Sequence, residues 1–126
     1  MVDFGYCLVL NGDMDKYYVY LYKNNKGSDL ISEFARKATR SQKSKIARQI
    51  QYLKMYGLTK NNPSLKKLAG LQVWEMRSLG NDNLRIFCTP HRDGIMMLHI
   101  TIKKSQKTSP KDISIITKRL KDLIQD

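Results

Sequence analysis

QVWEMRS (72–78), NLRIFCT (83–89) and GIMMLHITIKK (94–104) are the stretches whose reading decides the fold. Trp74 and Met76, then Leu84, Ile86 and Cys88, then Met96, Leu98, Ile100 and Ile102 share one parity. Arg77, Arg85, His99 and Lys103 share the other. Successive side chains of a strand point to opposite faces, so the runs predict three strands with one apolar face and one that gathers positive charge. Gly80, Asn81 and Asn83 supply turn chemistry in the first gap, and Asp93-Gly94 in the second. With five-residue loops at 79–83 and 90–94, Arg77 lies across from Arg85, Arg85 opposite His99, and Cys88 opposite Met96. The alternative register is displaced by two residues. Like charges facing each other across a sheet are mildly destabilising, so the row Arg77–Arg85–His99 points to an anionic partner. The competing reading is a solvated face on which each arginine pairs with Glu75 or another nearby acid.

Upstream, YYVYLYK (17–23) is rich in aromatic and β-branched residues and predicts a strand. FGYCLVL (4–10) is either its hairpin partner or an N-terminal extension, which leaves residues 1–16 as an extra strand or an arm. Ser28 suits the N-cap of a helix carrying Leu30, Ile31, Phe34, Ala35 and Ala38. Thr39 and Gln42 read as a capping box opening a second helix with Ile46, Ala47, Ile50 and Leu53 on one stripe and Gly57 at its end. The opposite face of that helix carries Lys43, Lys45, Arg48 and Lys54, a pattern that also fits a simply solvated surface. Residues 61–71, with Lys66-Lys67 in the middle, read as a loop. Ser109-Pro110 opens a last helix with Ile113, Ile116, Leu120, Leu123 and Ile124 as its apolar stripe. The order predicts one α+β domain over residues 1–126, with an antiparallel sheet of about four strands and helices on one sheet face. Two of the helices precede the three strands and one follows them.

The chain has 126 residues, 41% hydrophobic and 27% charged, as in a globular protein with a single core. Its 23 Lys and Arg against 11 Asp and Glu give a net charge of +12. An excess of that size costs self-repulsion and accompanies phosphate-rich partners, nucleic acid first among them. Cys7 and Cys88 sit in apolar runs without CxxC spacing, and with His91 and His99 they make no zinc pattern. Buried free thiols in a reducing compartment are expected. The acidic start Met1-Val2-Asp3 and the shortness of the apolar stretch Phe4–Leu10 argue against a signal peptide, so a cytoplasmic location is expected.

The sequence has no GxSxG, P-loop or GxGxxG, and only Glu75 among the acids falls on the basic face. What is left is catalysis without a metal or cofactor, by positioning and by cations aimed at developing charge. RNA suits that chemistry, because its own 2′-OH can attack the neighbouring phosphate. Arg77 and Arg85 could stabilise the phosphorane with forked donors. Lys103 or Lys104 could neutralise the phosphate or the leaving oxygen. His99 is either the near-neutral proton donor or acceptor of the row or a satisfied half-buried strand histidine.

Lys66-Lys67-Leu68-x-Gly70, Val73-Trp74-Glu75-Met76-Arg77, Leu84-Arg85-Ile86-Phe87 and Met97-Leu98-His99-x-x-x-Lys103-Lys104-x-Gln106-Lys107-Thr108-x-Pro110, in that order, resemble the phage-derived branch of the HigB/RelE toxins over residues 17–124. The resemblance implies the RelE-like fold and a ribosome-dependent endoribonuclease that cuts mRNA in the A site without metal, leaving a 2′,3′-cyclic phosphate. It implies a small helix-turn-helix antitoxin as partner. The family's central-strand basics fall on Arg77 and Arg85, those ending the last strand on Lys103 and Lys104, and the loop basics on Lys66 and Lys67. Lys107 and Lys43 complete the expected RNA contacts. Relatives often place a Tyr or His just after the last strand, whereas Ser105–Pro110 has neither, and Cys88 stands where an aromatic is common. Two other functions compete: a toxin of this fold directed at DNA gyrase, whose members lack the strand cations, and a non-catalytic RNA- or DNA-binding module using the same face.

Overall fold

The computed structural model describes residues 2–3, 7–9, 16–24, 26–59, 62–78, 83–102 and 108–124. In chain order these form β1 (Val2–Asp3), β2 (Cys7–Val9), β3 (Tyr18–Tyr22), α1 (Leu30–Ala35), α2 (Arg40–Tyr56), β4 (Leu65–Lys67), β5 (Trp74–Ser78), β6 (Leu84–His91), β7 (Gly94–Ile102) and α3 (Pro110–Ile124). The strands make one mixed sheet in the order β1-β2-β3-β7-β6-β5-β4. The α+β class is as expected. The sheet is wider than the expected four strands and not wholly antiparallel, because β3 pairs parallel to β7, Tyr18 opposite Gly94 through Leu21 opposite Met97. A Cβ built on Gly94 would lie 2.0 Å from the Tyr18 carbonyl oxygen, so glycine is what lets β3 approach. The stretch at 4–10 contributes β2, the antiparallel hairpin partner of β3.

Local chemistry sets the helix ends. Thr39 Oγ1 accepts from the Gln42 N–H at 3.1 Å and Gln42 Oε1 from the Thr39 N–H at 2.9 Å, the reciprocal pair of a capping box. Gly57, at φ 67°, ends α2 with its N–H on the Leu53 carbonyl. α1 is capped by Asp29 and not by Ser28: the Asp29 carboxylate takes both the N–H and the hydroxyl of Ser32, while Ser28 is tied into the turn by Asn24. The Ser109 hydroxyl accepts from the Asp112 N–H, as the Ser-Pro start of α3 predicts.

Two further expectations fail. Residues 65–67 are a short edge strand, not loop, since Leu65, Lys66 and Lys67 pair with Met76, Glu75 and Trp74. Three residues with two lysines carry no strand pattern of their own, and the ladder to β5 supplies the order. The helices also divide between the two faces of the sheet. Leu30, Ile46, Ile50 and Leu53 of α1 and α2 pack on Val19, Leu21, Met76, Ile86, Cys88, Ile95, Met97 and Ile100. Ile116, Leu120 and Leu123 of α3 pack on the other face, against Tyr20, Phe87, Met96 and Leu98. The face expected to be cationic is therefore largely a second core.

A β-bulge makes this possible. Met97 pairs with Cys88 and His99 with Phe87, so Leu98 is the extra residue. Strict alternation would keep Met96, Leu98 and Ile100 together; the bulge instead leaves Met96 and Leu98 under α3 and turns Ile100 toward α1 and α2. Arg119 of α3 fastens the spot, its Nη1 donating to the Leu98 carbonyl at 2.5 Å. Burial pulls the Arg119 guanidinium below its ordinary pKa, and Glu33 and Tyr22 act in the opposite direction.

Candidate functional site

The pairing of β5 with β6 is as expected: Ser78 meets Leu84 and Arg77 meets Arg85. The next pairing is not. β6 and β7 turn within two residues, Arg92 and Asp93, with Arg92 at φ 53°, so His91 faces Gly94. This tight turn and the bulge move the register by two at Arg85, which faces Thr101, while His99 faces Phe87. Cys88 faces Met97, not Met96. The row Arg77–Arg85–His99 is thereby replaced by two rows. One runs Lys66–Glu75–Phe87–His99 and the other Arg77–Arg85–Thr101.

Glu75 holds the centre. Its carboxylate is 1% exposed and accepts from Arg77 Nε. Arg85, also buried, places Nη1 3.6 Å from Glu75 Oε2, an ion-pair distance and not a hydrogen bond. The Thr108 hydroxyl donates to the same Oε2 at 3.1 Å, which brings the residues just before α3 onto the strand face. Two guanidinium groups share one carboxylate, so the cluster retains excess positive charge. The acid pairing that competed with the anion reading is thus present, yet it does not neutralise the face.

The surface beside this cluster is a groove of about 310 Å³ lined by Lys66, Lys67, Leu68, Ala69, Glu75, Arg77 and Thr108. Lys66 and Lys67 are exposed on β4, and Lys67 Nζ stands 5.6 Å from the Trp74 ring centroid. The Arg77 side chain is 28% exposed and is the guanidinium of the pair that reaches solvent. Chemically the groove suits a phosphodiester, offering flexible ammonium groups and one forked donor. Lys103, Lys104 and Lys107 lie outside the described residues.

His99 is held elsewhere. Its Nε2 pairs with Asp112 Oδ1 at 2.9 Å, its ring stacks on Phe87 at 5.9 Å between centroids, and Ser109 donates to the second Asp112 oxygen at 2.7 Å. The imidazole thus joins β7 to the first turn of α3, the arrangement expected of a satisfied strand histidine. Lys43 is exposed in the first helical turns of α2, on the face of the sheet opposite the Glu75 cluster. The structure therefore brings together Lys66, Lys67 and Arg77, with Arg85 beneath them, and leaves His99 and Lys43 apart. Thr108 and Asp112 were missed by sequence reasoning. Their partners are 33 and 13 residues distant, and no local spacing signals such pairs. Among the described residues no three His, Cys, Asp or Glu side chains converge as metal ligands.

Compared with known proteins, residues 33–121 match the family described as phage derived protein Gp49-like (DUF891). No curated protein matches the chain.

Proposed function

Because this chain belongs to the Gp49-like family of phage-derived proteins, which is associated with RelE- and HigB-like toxins, we propose that it is the toxin of a toxin–antitoxin pair and cuts messenger RNA on the ribosome. The observation that carries the proposal is the cationic groove of Lys66, Lys67 and Arg77 over the buried Glu75–Arg85 pair. The lysines would hold the phosphates flanking the scissile one. Arg77 would bridge the non-bridging oxygens as the 2′-oxygen bonds to phosphorus and the P–O5′ bond breaks, giving a 2′,3′-cyclic phosphate and a 5′-hydroxyl. Glu75 is engaged by two guanidinium groups and His99 by Asp112. The groove's contribution is therefore alignment and charge stabilisation; the 2′-OH proton passes to water, and water protonates the departing 5′ oxygen. Arg85 acts from beneath, through Glu75, and is a supporting residue in this scheme. The neutralising partner would be a small helix-turn-helix antitoxin.

Induced expression tests the reading. Growth arrest accompanied by new 5′ ends within translated messages, relieved by the product of a neighbouring small gene, is the expected result. Arrest with messages intact by primer extension would refute it. The engagement of both Glu75 and His99 favours one second reading, a non-catalytic RNA-binding module. It predicts salt-sensitive binding with no cut RNA at any protein concentration.

A further inference from the structure

We propose that Glu75 is the positioning residue of the groove, fixing the guanidinium of Arg77 and the backbone at Thr108 relative to each other so that a phosphodiester meets a preset fork. The inference rests on the reading of the groove as an RNA-phosphate site and deepens it. β5 places Glu75 and Arg77 two residues apart, hence on one face, and β6 sets Arg85 directly across from Arg77. One carboxylate oxygen receives Arg77 Nε and the other receives Thr108 Oγ1, with Arg85 Nη1 nearby.

Burying a carboxylate between two guanidinium groups is a poor way to stabilise a sheet, because apolar side chains of similar volume commonly do as well or better. What the arrangement supplies is geometry. A bond at Nε restricts the rotation of the guanidinium, and Arg77 lines the groove, so the carboxylate sets the orientation in which that group is presented. Thr108 bonds to the same carboxylate from the segment leading into α3. The strand wall and the helix-side wall of the groove thus share one anchor, and their separation depends on it. A lysine at position 77 would keep the charge but could offer neither the Nε contact nor the fork.

The test uses the full chain with Glu75→Gln and Arg77→Lys, a short oligoribonucleotide, inorganic phosphate and mRNA-programmed ribosomes. In wild type the Arg77 Nε–H gives a slowly exchanging side-chain NMR signal, assigned by its absence in Arg77→Lys, and phosphate shifts it. Glu75→Gln abolishes both the slow exchange and the shift. Arg77→Lys keeps the salt slope of oligoribonucleotide binding, because the charge count is unchanged. It lowers kcat on programmed ribosomes by roughly 100-fold with KM little altered, the pattern of a lost transition-state contact. Wild-type kcat in Arg77→Lys, or an Nε–H signal that is fast-exchanging in wild type, would overturn the proposal. If Glu75→Gln fails to fold, those two measurements still decide. If wild type cuts no RNA, the nuclease reading falls, and the phosphate-dependent Nε–H shift judges the positioning role separately.

Discussion

Arg77 and Arg85 face each other across the β5–β6 ladder, yet their surroundings assign them different work. Arg85 is 4% exposed and lies under Glu75; Arg77 reaches the groove. Arg85→Ala leaves a buried carboxylate short of one of its cations and should cost about 3–5 kcal/mol in chemical denaturation. Arg77→Ala should cost less, roughly 1.5–3 kcal/mol, the range for hydrogen bonds to charged groups. Loss of toxicity in Arg85→Ala therefore reports folding before chemistry, whereas in Arg77→Ala it reports the groove. His99→Asn should lower the melting temperature, because Asp112 and the α3 start lose their partner, while leaving RNA cleavage in place; abolished cleavage in a folded His99→Asn protein would return the histidine to the mechanism. Burial pushes the Cys88 thiol from its ordinary 9.0 up to about 12. The folded protein then holds that proton more tightly than the unfolded chain does. Its stability is intact below the unfolded value and falls as pH climbs from there toward about 12. Denaturation curves of wild type and Cys88→Ala should run parallel at pH 7 and diverge above pH 9, the wild type losing stability faster.

At the scale of elements, α2 shows a conflict between stability and charge. Its first turn carries Arg40 and no acid, and Lys43 follows directly, so cations sit at the helix end whose dipole is positive. Lys43→Glu should stabilise the protein by about 0.3–1 kcal/mol in urea titrations. If α2 also contacts RNA, the same change should weaken binding, and unchanged RNA affinity would make this helix face a solvated surface only. Elements whose order comes from within were legible in the sequence: the Thr39–Gln42 box, the Ser109-Pro110 start, and the alternation of β5 and β6. Elements ordered from without were not. β4 is three residues that exist as a strand because β5 accepts them. The bulge at Leu98 leaves no mark in GIMMLHITI, where apolar residues occupy both parities. The parallel pairing of β3 with β7 joins residues 76 positions apart, such as Tyr18 and Gly94, beyond the reach of any local pattern.

Across the whole molecule, the sheet is covered on both faces, and among the described residues strand cations meet solvent in the groove at the β4–β5 side. Reading the strands as one apolar and one basic face put Arg77 on the face that carries the groove but overstated the basic face, because α3 covers Phe87, Met96 and Leu98 there. No described helix is long and apolar enough to cross a membrane. The net charge of +12 makes salt the natural probe of binding, and removing one phosphate contact at Arg77 should reduce the salt slope by about one. The most direct measurement is cleavage of end-labelled mRNA on purified, programmed ribosomes by wild type and by folded Arg77→Ala. Wild type should yield fragments ending in a 2′,3′-cyclic phosphate, and Arg77→Ala should be slower by roughly 100-fold or more. Intact mRNA with wild type, or equal rates for the two proteins, would contradict the assignment of this groove as a ribonuclease site.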